Sequence, residues 1–153
     1  MPGGDLDADR AGLRDDLAAA VREAGTLALR TFRGELKSWI KGKSSPVSEA
    51  DLAVDALLRE RLLAIRDAAW LSEETEDDPT RLQRDEVWVV DPIDGTRAYL
   101  AGASDWAISA ALVRNGRPVI GALYAPVSDE LFMATAACVR NAARCFVMAG
   151  SPA

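Results

Sequence analysis

The sequence contains no histidine, and this absence excludes several common catalytic designs. Without histidine there can be no Ser-His-Asp triad, no Cys-His dyad and no zinc site built on imidazole ligands. The only cysteines are Cys138 and Cys145, close to the C-terminal end. Two cysteines at this position are too few to form a disulfide framework for the fold. Any catalysis must therefore rest on carboxylates, hydroxyls, backbone groups and a hard metal ion.

Positive charge and long apolar runs are also scarce. The chain has 18 Lys and Arg against 24 Asp and Glu, a net charge of -6, whereas proteins that bind nucleic-acid backbones are basic. No stretch approaches eighteen consecutive apolar residues, so no membrane span is expected. The acidic N-terminal segment does not resemble a signal peptide. We therefore expect a cytoplasmic protein that has neither a nucleic-acid polymer nor a membrane as its partner.

The hydrophobic pattern predicts two long helices and a sheet in a chain of 153 residues, 49% of them hydrophobic. Apolar residues recur at helical spacing over 6–32 and 52–66, and residues 48–51 have the spacing of a capping box. The predicted strands cover residues 36–40, 69–72, 87–90, 106–113, 118–124 and 131–134, with a hairpin turn at Asn115-Gly116. The expected fold is α+β, with both helices packed on one face of a mostly antiparallel sheet.

Acidic side chains stand where predicted elements begin or end. They are Asp51 in the first turn of the second helix, Glu73 and Glu74 after one strand, and Asp91 and Asp94 after another. A lone acidic loop residue is usually just solvated, but strand ends beside helices are also common ligand sites. Residues 91–96 are predicted to form a turn that directs both aspartates and a backbone carbonyl toward one point.

Such a group of carboxylates predicts a metal ion. Carboxylates without basic partners repel each other, and a bound cation relieves this repulsion. A site that offers only oxygen ligands suits Mg²⁺ best and Mn²⁺ as the second choice. Gly95 and Thr96 open a predicted short helix, whose N–H groups would face an anion. A metal site beside an anion site is typical of phosphate ester hydrolysis.

The segment 88–96, Trp-Val-Val-Asp-Pro-Ile-Asp-Gly-Thr, resembles the signature of the inositol monophosphatase superfamily, which comprises Mg²⁺-dependent, lithium-sensitive phosphatases. Ser72-Glu73-Glu74 is similar to the family's Gly-Glu-Glu, and residues 46–51 are similar to its Val-Thr-x-x-Asp segment. The resemblance runs from Leu13 to about Ala134. It implies the N-terminal portion of the layered αβαβα sugar-phosphatase fold, without the C-terminal α/β half.

The resemblance also implies roles for the matching residues. Glu73, Asp91 and the carbonyl of Ile93 would hold the first metal, and Asp91 and Asp94 would hold part of a second. The intact family site holds two or three Mg²⁺ ions. We expect these ligands to converge on one point.

Catalytic and phosphate-binding roles follow from the same resemblance. Asp51 and Thr96, expected side by side, would orient and deprotonate the attacking water. Gly95 and Thr96 would bind the substrate phosphate through backbone N–H groups. Glu74, Lys43 and Arg97 are further candidates.

The residues after Gly-Thr favour one branch of the family. A basic residue, an acid and an aromatic usually follow in the bisphosphate nucleotidases, and Thr-Asn-Phe in the inositol phosphatases. Arg97-Ala98-Tyr99 is closer to the first, although Ala98 departs from it. We therefore expect a small phosphorylated metabolite as the substrate. The favoured reaction is in-line hydrolysis of the 3'(2')-phosphate of adenosine 3',5'-bisphosphate, with inositol monophosphate as the alternative substrate.

The tail, residues 135–153, has a different composition, with both cysteines and no acidic residue. We expect residues 1–134 to form an incomplete phosphatase domain, and the tail to be disordered or the product of a frameshift. The family's second half supplies another metal-ligand aspartate from a Trp-Asp motif, which this chain lacks. A non-catalytic remnant that binds metal or a partner therefore remains an alternative. Exposed apolar surface on an incomplete sheet would favour association, a homodimer included.

Overall fold

The structure is a computed structural model that describes residues 3–34, 38–41, 45–136 and 146–149. Its helices are α1 Gly3–Thr31, α2 Glu49–Ile65 and the short α3 Thr96–Leu100, with a 3-10 turn at Pro79–Gln83. Its strands are β1 Ser38–Lys41, β2 Ser45–Ser48, β3 Ala69–Ser72, β4 Glu86–Asp94, β5 Ala107–Arg114, β6 Arg117–Ala125, β7 Glu130–Thr135 and β8 Phe146–Ala149.

The main sheet has six strands in the order β3-β4-β5-β6-β7-β8. Strands β3 and β4 are parallel, and every other neighbouring pair is antiparallel. Helix α1 packs against α2, β5 and β6, and α2 packs against β4. The predicted fold class, two long helices on a mostly antiparallel sheet, is confirmed.

The core lies between the helices and one face of this sheet. Every second residue of β5 and β7 is buried there, because successive side chains of a strand point to opposite faces. Gly25 lets α1 approach β6 closely, since a Cβ at this position would lie 2.9 Å from ring atoms of both Tyr124 and Pro126. The largest fully buried side chains include Leu17, Val21, Val54, Leu58, Leu62, Trp88, Ile108, Leu112 and Leu131.

Helix α2 begins at the predicted capping box. The Ser48 hydroxyl accepts a hydrogen bond from the Asp51 N–H, while the Asp51 carboxylate accepts one from the Ser48 N–H. These bonds satisfy N–H groups that the first turn of a helix would otherwise leave unpaired. The cap therefore fixes the place where α2 starts and orients the Asp51 side chain.

The segment before α2 differs from the prediction. The strand expected at residues 36–40 is β1, Ser38–Lys41, and it is followed by a strand that was not predicted, β2 Ser45–Ser48. The two strands pair as an antiparallel hairpin in which Trp39 lies opposite Val47. The polar composition of this segment favours a loop over a strand. Both strands of a two-stranded ribbon are edge strands, however, and edge strands tolerate Ser and Pro.

Most of the predicted tail lies outside the described residues. Strand β8 belongs to it and pairs with β7, with Phe146 opposite Met133. Residues 137–145 and 150–153 are not described. Among the helices that the structure does describe, none combines the length and the apolar character needed to cross a bilayer.

Candidate active site

Glu73 and Asp91 leave the ends of two neighbouring parallel strands. The recorded register of β3 and β4 ends with Ser72 opposite Val90, so Glu73 and Asp91 follow directly in the two chains. Neighbouring strands lie about 4.8 Å apart, and paired residues point to the same side of a sheet. The parallel register therefore brings these two acidic positions to one edge of the sheet.

Asp94 joins them through a β-bulge. Asp91 lies opposite Ser109 and Asp94 lies opposite Ala107, so three steps along β4 match two steps along β5. Positions three apart on a regular strand face opposite sides, but one extra residue restores the same side. Pro92 and Ile93 are buried within the bulge, whereas Asp94 is exposed. The prediction of a turn over residues 91–96 is therefore wrong for residues 91–94, because β4 continues through the bulge as far as Asp94.

Thr96 and Asp51 are in direct contact, as expected. The Thr96 hydroxyl donates to Oδ1 of Asp51 over 2.8 Å and also lies 3.1 Å from the Ile93 carbonyl oxygen. One hydroxyl proton favours the shorter contact with the carboxylate, because charge-assisted hydrogen bonds are the stronger ones. The contact joins the start of α2 to the start of α3.

The Asp51 carboxylate is fully buried, with 0% of the residue exposed. Its Oδ2 accepts hydrogen bonds from both the N–H and the hydroxyl of Ser48, at 2.9 and 2.5 Å. Its Oδ1 is the oxygen that faces Thr96. In the described contacts, Thr96 is therefore the link between this buried carboxylate and the strand end that carries the other acids.

Gly95 occupies a backbone conformation that other residues rarely adopt, with φ +95°. A Cβ at this position would lie 2.6 Å from the carbonyl oxygen of Asp105. Both observations require glycine where β4 turns into α3. The turn brings the backbone of residues 95 and 96 next to the acidic edge.

The pKa of Asp91 is affected by all the acidic residues around it. Burial, followed by the negative charges of Glu73, Asp94, Glu74 and Asp51, raises the pKa of the Asp91 carboxyl to about 7. Like charges that crowd a partly buried carboxylate disfavour its ionised form. The same surroundings would favour a bound cation, which would hold the carboxylate in its charged form.

The donor set fits a hard divalent cation, because it consists of carboxylate and backbone oxygens. The expected convergence on one point is not found: within residues 3–34, 38–41, 45–136 and 146–149, no three acidic or cysteine side chains are arranged closely enough to hold a metal ion. Glu73 and Asp94 are both exposed at this edge of the sheet. The strand ends align the acids, and a cation would have to draw the side chains together.

The remaining candidates have different surroundings. Arg97 is exposed on α3, and Glu74 is half-buried, with its N–H donating to the Ser72 hydroxyl over 3.3 Å. Lys43 lies outside the described residues. Asp55 was not predicted as a site residue, and it is a buried carboxylate of α2 that accepts hydrogen bonds from Ser72 and Thr75. Its spacing of four residues from Asp51 was the available signal, since it puts both on one helix face.

Comparison with known proteins identifies the family. The sequence model of the inositol monophosphatase family matches residues 12–145, most of the chain. The chain belongs to the inositol monophosphatase family. The match includes α2, the part of α1 from residue 12 onward, and every predicted site residue.

Similar members of the inositol monophosphatase family differ in their named activities. A 3'-phosphoadenosine 5'-phosphate phosphatase of Mycobacterium bovis is 42% identical over 106 residues, which cover 64% of this chain and 38% of the relative. An inositol-1-monophosphatase of Rhizobium meliloti is 34% identical over 128 residues, which cover 82% of this chain and 48% of the relative.

Solved structures of the family share the fold. The suhB protein of Bartonella henselae is 31% identical and superposes with a TM-score of 0.75 over 80% of this chain and 48% of its own. The chain spans about half the length of curated relatives that it matches.

Proposed function

We propose that this chain carries the metal-binding half of a Mg²⁺-dependent phosphomonoesterase. The observation that supports it best is the alignment of Glu73, Asp91 and Asp94 on one sheet edge, beside the Asp51–Thr96 contact. Family relatives of both kinds are phosphatases by name, which supports the same reaction class. Resemblance to the family assigns Glu73, Asp91 and the Ile93 carbonyl to one ion, and Asp91 and Asp94 to another.

Bound Mg²⁺ would supply charge that neutralises the phosphate oxygens and makes a water molecule more acidic. The chain's own residues would do the rest. Thr96 would accept a hydrogen bond from the attacking water and pass a proton to Oδ1 of Asp51, which it already contacts. Oδ2 of Asp51 is engaged by Ser48, so the carboxylate keeps one orientation during this transfer.

The phosphate group would bind at the turn into α3. The backbone N–H groups of Gly95 and Thr96 are the proposed donors, because glycine lets the backbone approach a ligand without an intervening Cβ. Arg97 is exposed and Glu74 is half-buried, and each directly follows a proposed site residue in the sequence. Both are therefore candidates for a contact to the substrate or to a further ion. No step of the reaction is assigned to either of them.

The favoured substrate is the 3'(2')-phosphate of adenosine 3',5'-bisphosphate. It is supported by the basic Arg97 after Gly-Thr and by the 42% identity to a phosphatase named for 3'-phosphoadenosine 5'-phosphate. Inositol monophosphate is the second candidate, favoured by the 34% identity to the inositol-1-monophosphatase. A small soluble metabolite, rather than a polymer, agrees with the net charge of -6.

The test measures phosphate release by this chain from both substrates, with Mg²⁺ present or removed by EDTA, and with or without Li⁺. Mn²⁺ binding is followed in parallel by electron paramagnetic resonance. Mg²⁺-dependent release that is faster from the bisphosphate supports the proposal, and faster release from inositol monophosphate favours the second substrate. Binding of Mn²⁺ without turnover favours the non-catalytic alternative, and a chain that binds no Mn²⁺ would contradict the metal site itself.

A further inference from the structure

Asp55 is a buried carboxylate that the proposed reaction does not use. It lies on α2, four residues after Asp51, and only 7% of it is exposed. Its neighbours on the buried face, Val54, Leu58 and Leu62, are apolar and fully buried. A charged side chain in such surroundings costs desolvation free energy, which a hydrophobic residue would avoid. Its presence therefore calls for a reason other than packing.

The hydrogen bonds of Asp55 clamp both ends of one turn. The Ser72 hydroxyl donates to Oδ1 in a very short contact, and the Thr75 hydroxyl donates to Oδ2 over 2.6 Å. The turn is closed by the Thr75 N–H, which lies 3.4 Å from the Ser72 carbonyl oxygen. The two residues between these anchors are Glu73 and Glu74.

The donors around the turn fix the direction of every bond. The Trp70 indole N–H donates to Thr75 Oγ1 over 3.2 Å, and the Glu74 N–H donates to Ser72 Oγ over 3.3 Å. An indole and a backbone N–H can only donate, so each hydroxyl accepts there and has one proton left to give. Both protons go to Asp55. An amide in its place could accept only one of them, because its other atom is a donor.

We propose that Asp55 is a positioning residue, which holds the Ser72–Thr75 turn so that Glu73 stays beside Asp91 at the metal site. The inference rests on the proposed function, since it concerns the same site. Because Asp51 and Asp55 lie one turn apart on α2, a single helix sets both the Asp51–Thr96 contact and the Glu73 turn. Partners that orient metal ligands in this way typically influence metal affinity about 10- to 100-fold.

The test uses the full chain and compares Thr75→Val with Thr75→Ser, and both with Asp55→Asn. Mn²⁺ affinity is measured by electron paramagnetic resonance, and exchange of the Glu74 amide hydrogen by NMR. Thr75→Val keeps the shape but removes the hydroxyl, so it and Asp55→Asn should weaken Mn²⁺ binding about 10- to 100-fold and speed Glu74 exchange. Thr75→Ser keeps the hydroxyl and should restore near wild-type values.

Asp67→Asn is the control, because this exposed carboxylate pairs only loosely with Arg84, at 3.4 Å, and should leave Mn²⁺ affinity unchanged. Thr75→Val with wild-type Mn²⁺ affinity would overturn the inference, even if its melting temperature falls. Wild-type chain that binds no Mn²⁺ would overturn it as well. Weakened binding in the variants together with absent phosphate release would support the positioning role and count only against catalysis.

Discussion

Asp91 and Asp94 lie on the same face of β4 although they are three positions apart. They are opposite Ser109 and Ala107, two residues of β5 that share a face, because a bulge adds one residue to β4. The bulge buries Pro92 and Ile93 and presents both aspartates at the sheet edge. This backbone irregularity, rather than a free turn, builds the acidic edge on which the proposed function depends.

Replacing Asp91 by Asn should abolish Mn²⁺ binding and any Mg²⁺-dependent phosphate release while sparing the fold. Asp91 is the residue assigned to both ions, and an amide is a poor bridging ligand for a hard cation. Titration with Mn²⁺ and a circular dichroism melt would check both parts. Asp85→Asn, an exposed position just before the opposite end of β4, is the matched control and should bind Mn²⁺ like the wild type. Unchanged binding by Asp91→Asn would contradict the ligand assignment.

The metal-free chain should lose stability as the pH rises toward neutrality. The pKa of Asp91 is raised from 3.8 to about 7 in the folded chain, so the folded state holds a proton that the unfolded state releases. The resulting contribution to the free energy of unfolding is complete below about pH 4 and is lost as the pH passes through about 7. Urea unfolding at pH 5 and pH 8 in EDTA measures it. Asp91→Asn should show a smaller difference between the two pH values; an equal difference would refute this origin.

Replacing Thr96 by Ala should impair turnover more than metal binding. The change removes the 2.8 Å donor to Asp51 but none of the proposed metal ligands. We expect phosphate release to fall about 100-fold, the low end of the range for a positioned proton transfer, with Mn²⁺ affinity close to wild type. Thr96→Ser keeps the hydroxyl and serves as the control. A large loss of Mn²⁺ affinity in Thr96→Ala would show that Thr96 acts on the metal site instead.

Gly95→Ala should destabilise the chain more than Gly116→Ala. Both glycines have positive φ, +95° and +75°, but only the Cβ at residue 95 would meet a neighbour, the Asp105 carbonyl oxygen at 2.6 Å. The strain alone costs about 1 kcal/mol in Gly116→Ala. The added clash should bring Gly95→Ala to about 3 kcal/mol, near the upper end for ordinary single substitutions. Urea unfolding compares the two, and equal losses would show that the turn into α3 adapts freely.

The local elements could be predicted from the sequence because their causes are local. Helical spacing of apolar residues predicted both long helices, and the spacing of Ser48 and Asp51 predicted the cap of α2. Asn115-Gly116 marked the hairpin between β5 and β6, where both residues have positive φ. The segment 88–96 identified the acidic site through its resemblance to a family. In each case, residues within a few positions of one another carry the information.

Features that depend on distant partners were decided only by the tertiary structure. The bulge in β4 exists because β5 pairs with it on both sides of Pro92, and neither strand's own sequence shows that register. Ser72 and Thr75 are 17 and 20 residues further along the chain, so Asp55 meets them only after α2 packs on the main sheet. Hydrogen bonds and strand register join groups by their distance in space, whereas periodicity and capping act along the chain. The sequence therefore determined which residues are candidates for the chemistry, and packing determined which of them meet.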